Sequence, residues 1–78
     1  MSDRIRTIVA DVLGVAATKL PPEASQSDVP EWTSLNHLRL ITELESAFGV
    51  ELTMDEALAL TSLPRIRERL ERDQHDAR

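Results

Sequence analysis

The sequence predicts an all-α fold: a four-helix bundle with a long first loop and a short third helix. Three observations predict it. Apolar residues recur at helical spacing in four separate stretches, no stretch shows the apolar-polar alternation of a half-buried strand, and the glycines and capping residues punctuate the stretches. Short connections after the first loop suit neighbouring helices of one bundle.

Ile5, Ile8, Val9, Val12 and Leu13 follow the i, i+3, i+4, i+7, i+8 spacing of a helix with one buried stripe, with Asp3 near its start and Gly14 as its stop. From Val15 to Thr33 the period fails, and Pro21, Pro22 and Pro30 with Ser25, Ser27 and Asp28 deny the backbone a continuous helix. The expectation is a loop of nineteen residues without regular structure, long enough to span the bundle. Leu38, Ile41, Leu44 and Phe48, flanked by Leu40 on an adjacent row, predict a second helix over about Ser34 to Phe48, closed at Gly49. Thr53 with Glu56 three residues on is a capping-box pattern opening a short helix of Met54, Ala57, Leu58 and Leu60. Thr61 or Ser62 can cap a fourth helix, with Pro64 in its first turn and Leu63, Ile66 and Leu70 facing the core. Residues 1–72 are thus read as a single domain, and 73–78 as a polar tail that frays.

With 78 residues the chain has room for one core. It has no cysteine, so disulfides, thiolate metal sites and cysteine nucleophiles are excluded. No window has the apolar length of a membrane span, and Met1-Ser2-Asp3-Arg4 does not open a signal peptide, so the expectation is a soluble, cytoplasmic monomer. The net charge of −5 is concentrated in the middle, where Lys19 to Ser62 hold eight acidic residues against two basic ones. Such a surface repels nucleic acid and suits basic protein partners, or is simply a solvated face. The arginines at 65, 67, 69 and 72 alternate with Glu68 and Glu71 as an ion-paired helix surface.

Thr33 is placed to cap the second helix, which puts Ser34 at its first helical position. A phosphodiester on Ser34 would meet orphan N–H groups and the positive end of the helix dipole. The local chemistry is equally that of two residues that merely start a helix. Trp32, just before the cap, is read as a packing residue that fixes the chain's entry. His37 and His75 lie far apart and have no partner cluster, so neither metal binding nor acid-base catalysis is expected.

The stretch Trp32-Thr33-Ser34-Leu35-Asn36-His37-Leu38-Arg39-Leu40-Ile41, followed by Leu44-Glu45 and Phe48-Gly49-Val50-Glu51, resembles the acyl carrier protein family. The resemblance covers nearly the whole chain, including the long loop after Leu13-Gly14-Val15 and the short third helix. It implies that Ser34 carries 4′-phosphopantetheine, transferred from coenzyme A by a magnesium-dependent phosphopantetheinyl transferase. Acyl groups then ride as thioesters on the terminal thiol and are delivered to acyl-loading and acyl-processing enzymes. The chain itself would be no enzyme. The resemblance also implies a partner face on the second and third helices: Leu35 and Leu38 as apolar contacts, ringed by Glu43, Glu45, Glu51, Asp55 and Glu56, with Arg39 where the family is commonly acidic. Leu38 and, less readily, Leu35 could instead be core residues.

Thr33 stands where the family usually has aspartate before the serine, which removes a charge that the transferase normally meets. The glycine pair that precedes the serine in peptidyl carriers is absent, which favours acyl cargo. Thr33 and Arg39 together suggest a discrete carrier of a specialised pathway, such as polyketide synthesis, with a narrow partner set. The other reading is an unmodified carrier-fold protein that only binds partners. A DNA-binding helical domain is disfavoured by the charge and by a second helix poor in base-reading side chains.

Overall fold

The computed structural model describes residues 4–76, which form four helices. The first, α1, spans Arg4–Leu13 and buries Ile5, Val9, Ala10 and Leu13, with Ile8 and Val12 half-buried beside them. Gly14 ends it at φ 73°. The left-handed turn lets the Val15 N–H reach back to Ala10 O at 3.0 Å and the Gly14 N–H to Asp11 O at 3.3 Å, pairing carbonyls the helix end would leave open.

The nineteen-residue loop is far more ordered than its aperiodic sequence predicts. It contains a 3-10 turn at Ala17–Lys19 and buries Leu20, Ala24 and Trp32 in the core. The Arg6 guanidinium donates to Leu20 O. Gln26 N–H donates to Thr61 O at 2.8 Å and Leu63 N–H to Ala24 O at 2.9 Å, around an isolated antiparallel bridge between Ser25 and Ser62. Periodicity cannot show this, because single apolar residues in irregular backbone bury without a repeat.

The second helix, α2, spans Ser34–Phe48, as the sequence predicts, and closes on Gly49 at φ 65°. Its core face is rotated from the expected one. Leu40, Ile41 and Leu44 are buried together with His37, whereas Leu38 is 60% exposed. Phe48 is half-buried, with the Arg4 guanidinium 4.7 Å above its ring. The short third helix, α3, spans Met54–Ala59 and has the full capping box: Glu56 N–H donates to Thr53 Oγ1 at 3.1 Å, and Thr53 N–H to Glu56 Oε1 at 3.0 Å. No residue within α3 is buried.

The fourth helix, α4, spans Leu63–Asp76. The Arg65 N–H donates to Ser62 Oγ at 3.3 Å, so Ser62 serves its first turn. Leu63, Ile66 and Leu70 are sealed in the core. The helix passes the expected end at Arg72 and continues to Asp76. Once a helix is nucleated each added residue gains a hydrogen bond, and Glu71, Arg72 and Gln74 are good helix formers. The remainder of the expected tail, residues 77–78, lies outside the described residues. The core joins one face each of α1, α2 and α4 to Leu20, Ala24, Trp32 and Leu60 from the connections. Among the described residues no helix is long and apolar enough to cross a membrane.

Candidate functional site

Thr33 is extended, at φ −79° and ψ 170°, and its Oγ1 accepts the Asn36 N–H at 3.1 Å. The Asn36 side-chain amide donates to Glu31 O at 2.8 Å, pinning the entering chain from the other side. Ser34 is therefore the first residue of α2 and is exposed. Its hydroxyl and the N–H groups of Ser34 and Leu35 have no hydrogen-bond partner among the described residues. The first turn of α2 carries no acidic side chain. A phosphodiester fits here: the hydroxyl is accessible, N–H donors are at hand, and no carboxylate in that turn repels an anion.

Nothing at the site would activate Ser34 as a nucleophile. The adjacent imidazole, His37, is turned inward, 6% exposed, with both nitrogens engaged. Trp32, 2% exposed, donates its Nε1–H to His37 Nδ1 at 3.0 Å. His37 Nε2 lies 2.8 Å from Ala57 O. An indole N–H only donates and a carbonyl only accepts, so Nδ1 takes the acceptor role toward Trp32 and Nε2–H the donor role toward Ala57. Trp32 thus has the packing role that its position suggested, and His37 has a structural role that the sequence reading missed. A signal was present: the two residues flank the Thr33 cap at the spacing of a hydrophobic staple.

Leu35 and Leu38 are 65% and 60% exposed, so neither is a core residue. Met54 and Leu58 on α3 are exposed at 70% and 62%. The sequence reading had placed them only in an apolar segment; a helix of one and a half turns with no buried side chain leaves such residues outside. Asp55, on α3, and Glu51, just before it, are also exposed.

Arg39 and Glu43 are exposed on α2, Arg39 one turn after Leu35 on the same side of the helix. With Thr42 they face Ile8, Asp11 and Val12 of α1 across an open groove of about 490 Å³. Glu45 and Glu56 have internal partners. Glu45 accepts the Leu52 N–H at 2.8 Å, holding the connection between α2 and α3. Glu56 completes the capping box and receives Arg69 Nε at 2.9 Å. The Arg69 hydrogen bond, followed by that from the Thr53 backbone, holds the Glu56 carboxyl below its ordinary value. Of the eight side chains expected on the partner face, Leu35, Leu38, Glu51 and Asp55 are exposed, Arg39 and Glu43 border the groove with α1, and Glu45 and Glu56 have internal partners. Among the described residues no three potential ligands gather to hold a metal ion.

Residues 3–70 match the family described as phosphopantetheine attachment site. The chain is 43% identical over 60 residues to the acyl carrier protein of Rubrobacter xylanophilus, covering 77% of this chain and 74% of that protein. It is 39% identical over 61 residues to the acyl carrier protein of Thermosynechococcus vestitus, covering 78% and 75% respectively.

Proposed function

The chain belongs to the acyl carrier protein family, whose members carry acyl groups on phosphopantetheine, and on that premise we propose that Ser34 is its attachment point. The relatives are carriers rather than enzymes, and so is this chain. One observation supports Ser34 above all: it is an exposed serine at the start of α2, its hydroxyl unengaged and its helix end favourable to an anion. Bound there, the prosthetic group supplies the terminal thiol that the cysteine-free chain lacks. The protein's part is to present the tether, raising the concentration of the thioester at each partner's active site.

In this reading residues 1–72 are the carrier domain of a cytoplasmic monomer that binds neither nucleic acid nor membrane. Its partners are a phosphopantetheinyl transferase and the enzymes that load and process the acyl group. They dock on Leu35, Leu38 and Asp55 together with Met54 and Leu58. Arg39 and Glu43 contribute from the α1 side, while Glu45 and Glu56 hold the shape of the face. Thr33 beside Ser34 and the cationic Arg39 support a dedicated partner set, as in polyketide or similar specialised synthesis, over a general fatty-acid role.

Intact mass of the purified protein after incubation with coenzyme A, magnesium and a permissive transferase tests the reading. The expected result is a gain of one phosphopantetheinyl group that is absent in Ser34→Ala. No gain with several transferases, and none in Thr33→Asp, would replace it with the unmodified interaction protein.

A further inference from the structure

Helices α1 and α2 run antiparallel, with Arg4 at the start of α1 donating to Ala47 O near the end of α2. Asp11 and Val12, late in α1, therefore lie toward the serine-bearing half of α2. The groove of about 490 Å³ between the two helices has the half-buried Ile8 and Val12 as its apolar base. Around them stand a cation, Arg39, two carboxylates, Asp11 and Glu43, and Thr42, whose hydroxyl donates to Leu38 O at 3.2 Å. Arg39 makes no hydrogen bond or ion pair among the described residues, although Asp11 and Glu43 line the same groove.

We propose that this groove stows the phosphopantetheine arm when Ser34 is modified, with Arg39 donating to its amide carbonyls. The inference rests on Ser34 as the attachment point. Reach is the first argument. From phosphorus to sulfur the arm has about thirteen bonds, the length of about four extended residues, or roughly 14 Å. At 1.5 Å per residue, Arg39 and Thr42 stand roughly 7.5 Å and 12 Å along the axis from Ser34, and about 140° and 80° around it. Both are within the arm's span.

Polarity is the second argument. The arm joins apolar carbons through two secondary amides. Their carbonyls need donors, which Arg39 supplies, and their N–H groups need acceptors, which Asp11 and Glu43 supply. The branched dimethyl carbon can cover Ile8 and Val12. Helix α3 offers no such match: Met54, Asp55 and Leu58 are exposed there, and none of its side chains is a donor. A partner's carboxylate would also satisfy Arg39. A tethered group, however, is present at millimolar effective concentration at all times, so a groove of weak affinity suffices to hold it. Arg39 is in this reading a positioning residue for the arm between encounters with partners.

The chain has no cysteine, so the thiol of the arm is unique in the modified protein and takes a nitroxide label at one place. The test compares nuclear magnetic resonance spectra of the unmodified and fully modified chain, with modification verified by intact mass, and then of the labelled form. The Arg39 Nε–H signal and the amides of Ile8, Val12 and Thr42 should shift on modification. The label should broaden those amides more than the amides of Met54 and Leu58. In Arg39→Ala, carried to full modification, the ratio of stowed to free arm should fall about tenfold, as for one lost charge-assisted hydrogen bond. No gain of mass overturns the Ser34 reading and the inference with it. A gain of mass with unshifted groove signals, or with broadening equal or stronger at Met54 and Leu58, overturns the inference alone. Full retention of the broadening in Arg39→Ala does the same. Groove shifts that grow with protein concentration assign the groove to a second copy of the chain and also overturn it.

Discussion

Helices α3 and α4 are neighbours in the chain and are held to the same bundle by different means. Helix α4 inserts Leu63, Ile66 and Leu70 into the core, each no more than 1% exposed. Helix α3 buries none of its side chains fully: Ala57 is half-buried against the core, the buried Leu60 follows it, and the capping box, Ala57 O on His37 and Glu56 on Arg69 complete its hold. Apolar burial is strong and undirected, so α4 is fixed wherever the core is fixed. Hydrogen bonds have a small net worth and depend on geometry and protonation, so α3 is adjustable. The arrangement also leaves Met54 and Leu58 outward, where a partner can use them.

The contrast can be broken first on the α4 side. Ile66→Ala should lower unfolding free energy by about 2–5 kcal/mol in denaturant titration, a large share of what so small a domain holds. A loss below about 1 kcal/mol would mean that the core collapses around the gap. The α3 side responds to acid instead. Glu56 has a lowered folded-state pKa, so its contribution is complete above the ordinary value of 4.5 and is lost as the pH falls below that, through the folded value. Glu56→Gln should therefore be less stable in thermal unfolding at neutral pH and no different from the unaltered chain near about pH 3. A gap that persists in acid would locate the worth of Glu56 elsewhere than in the Arg69 pair. The smallest effect on stability is expected from Leu58→Ala, within about 0.5 kcal/mol. The same substitution should slow phosphopantetheine transfer to Ser34 through a raised KM, and unchanged transfer kinetics would take Leu58 off the docking face.

What the residues disclosed follows the range of the interaction. Thr33, Thr53 with Glu56, Gly14 and Gly49 act within a turn or two, and each stands in the structure as read. Leu63, Ile66 and Leu70 were legible because no competing apolar row runs beside them. On α2 both Leu38 and Leu40 fit an apolar pattern, and only the packing of α1 and the loop decides that Leu40 faces in. The flank of Arg39 and Glu43 depends on α1 in the same way. The burial of Leu20, Ala24 and Trp32 has no period to reveal it. Of the candidate site, the serine and its cap were readable locally, whereas the tie from Trp32 through His37 to Ala57 required the position of a helix twenty residues away.

The bonds from Gln26 to Thr61 and from Leu63 to Ala24 join the first loop to the start of α4 across the whole of α2 and α3. Contacts between such distant stretches recover their closure entropy only after the intervening chain has taken shape. The expectation is that the four helices gather before this seam closes, on the late side of the folding barrier. Interactions formed after the barrier govern how slowly a protein comes apart rather than how quickly it assembles. The loop that the prolines keep from being a helix is thus expected to act on the lifetime of the folded carrier rather than on how fast it forms.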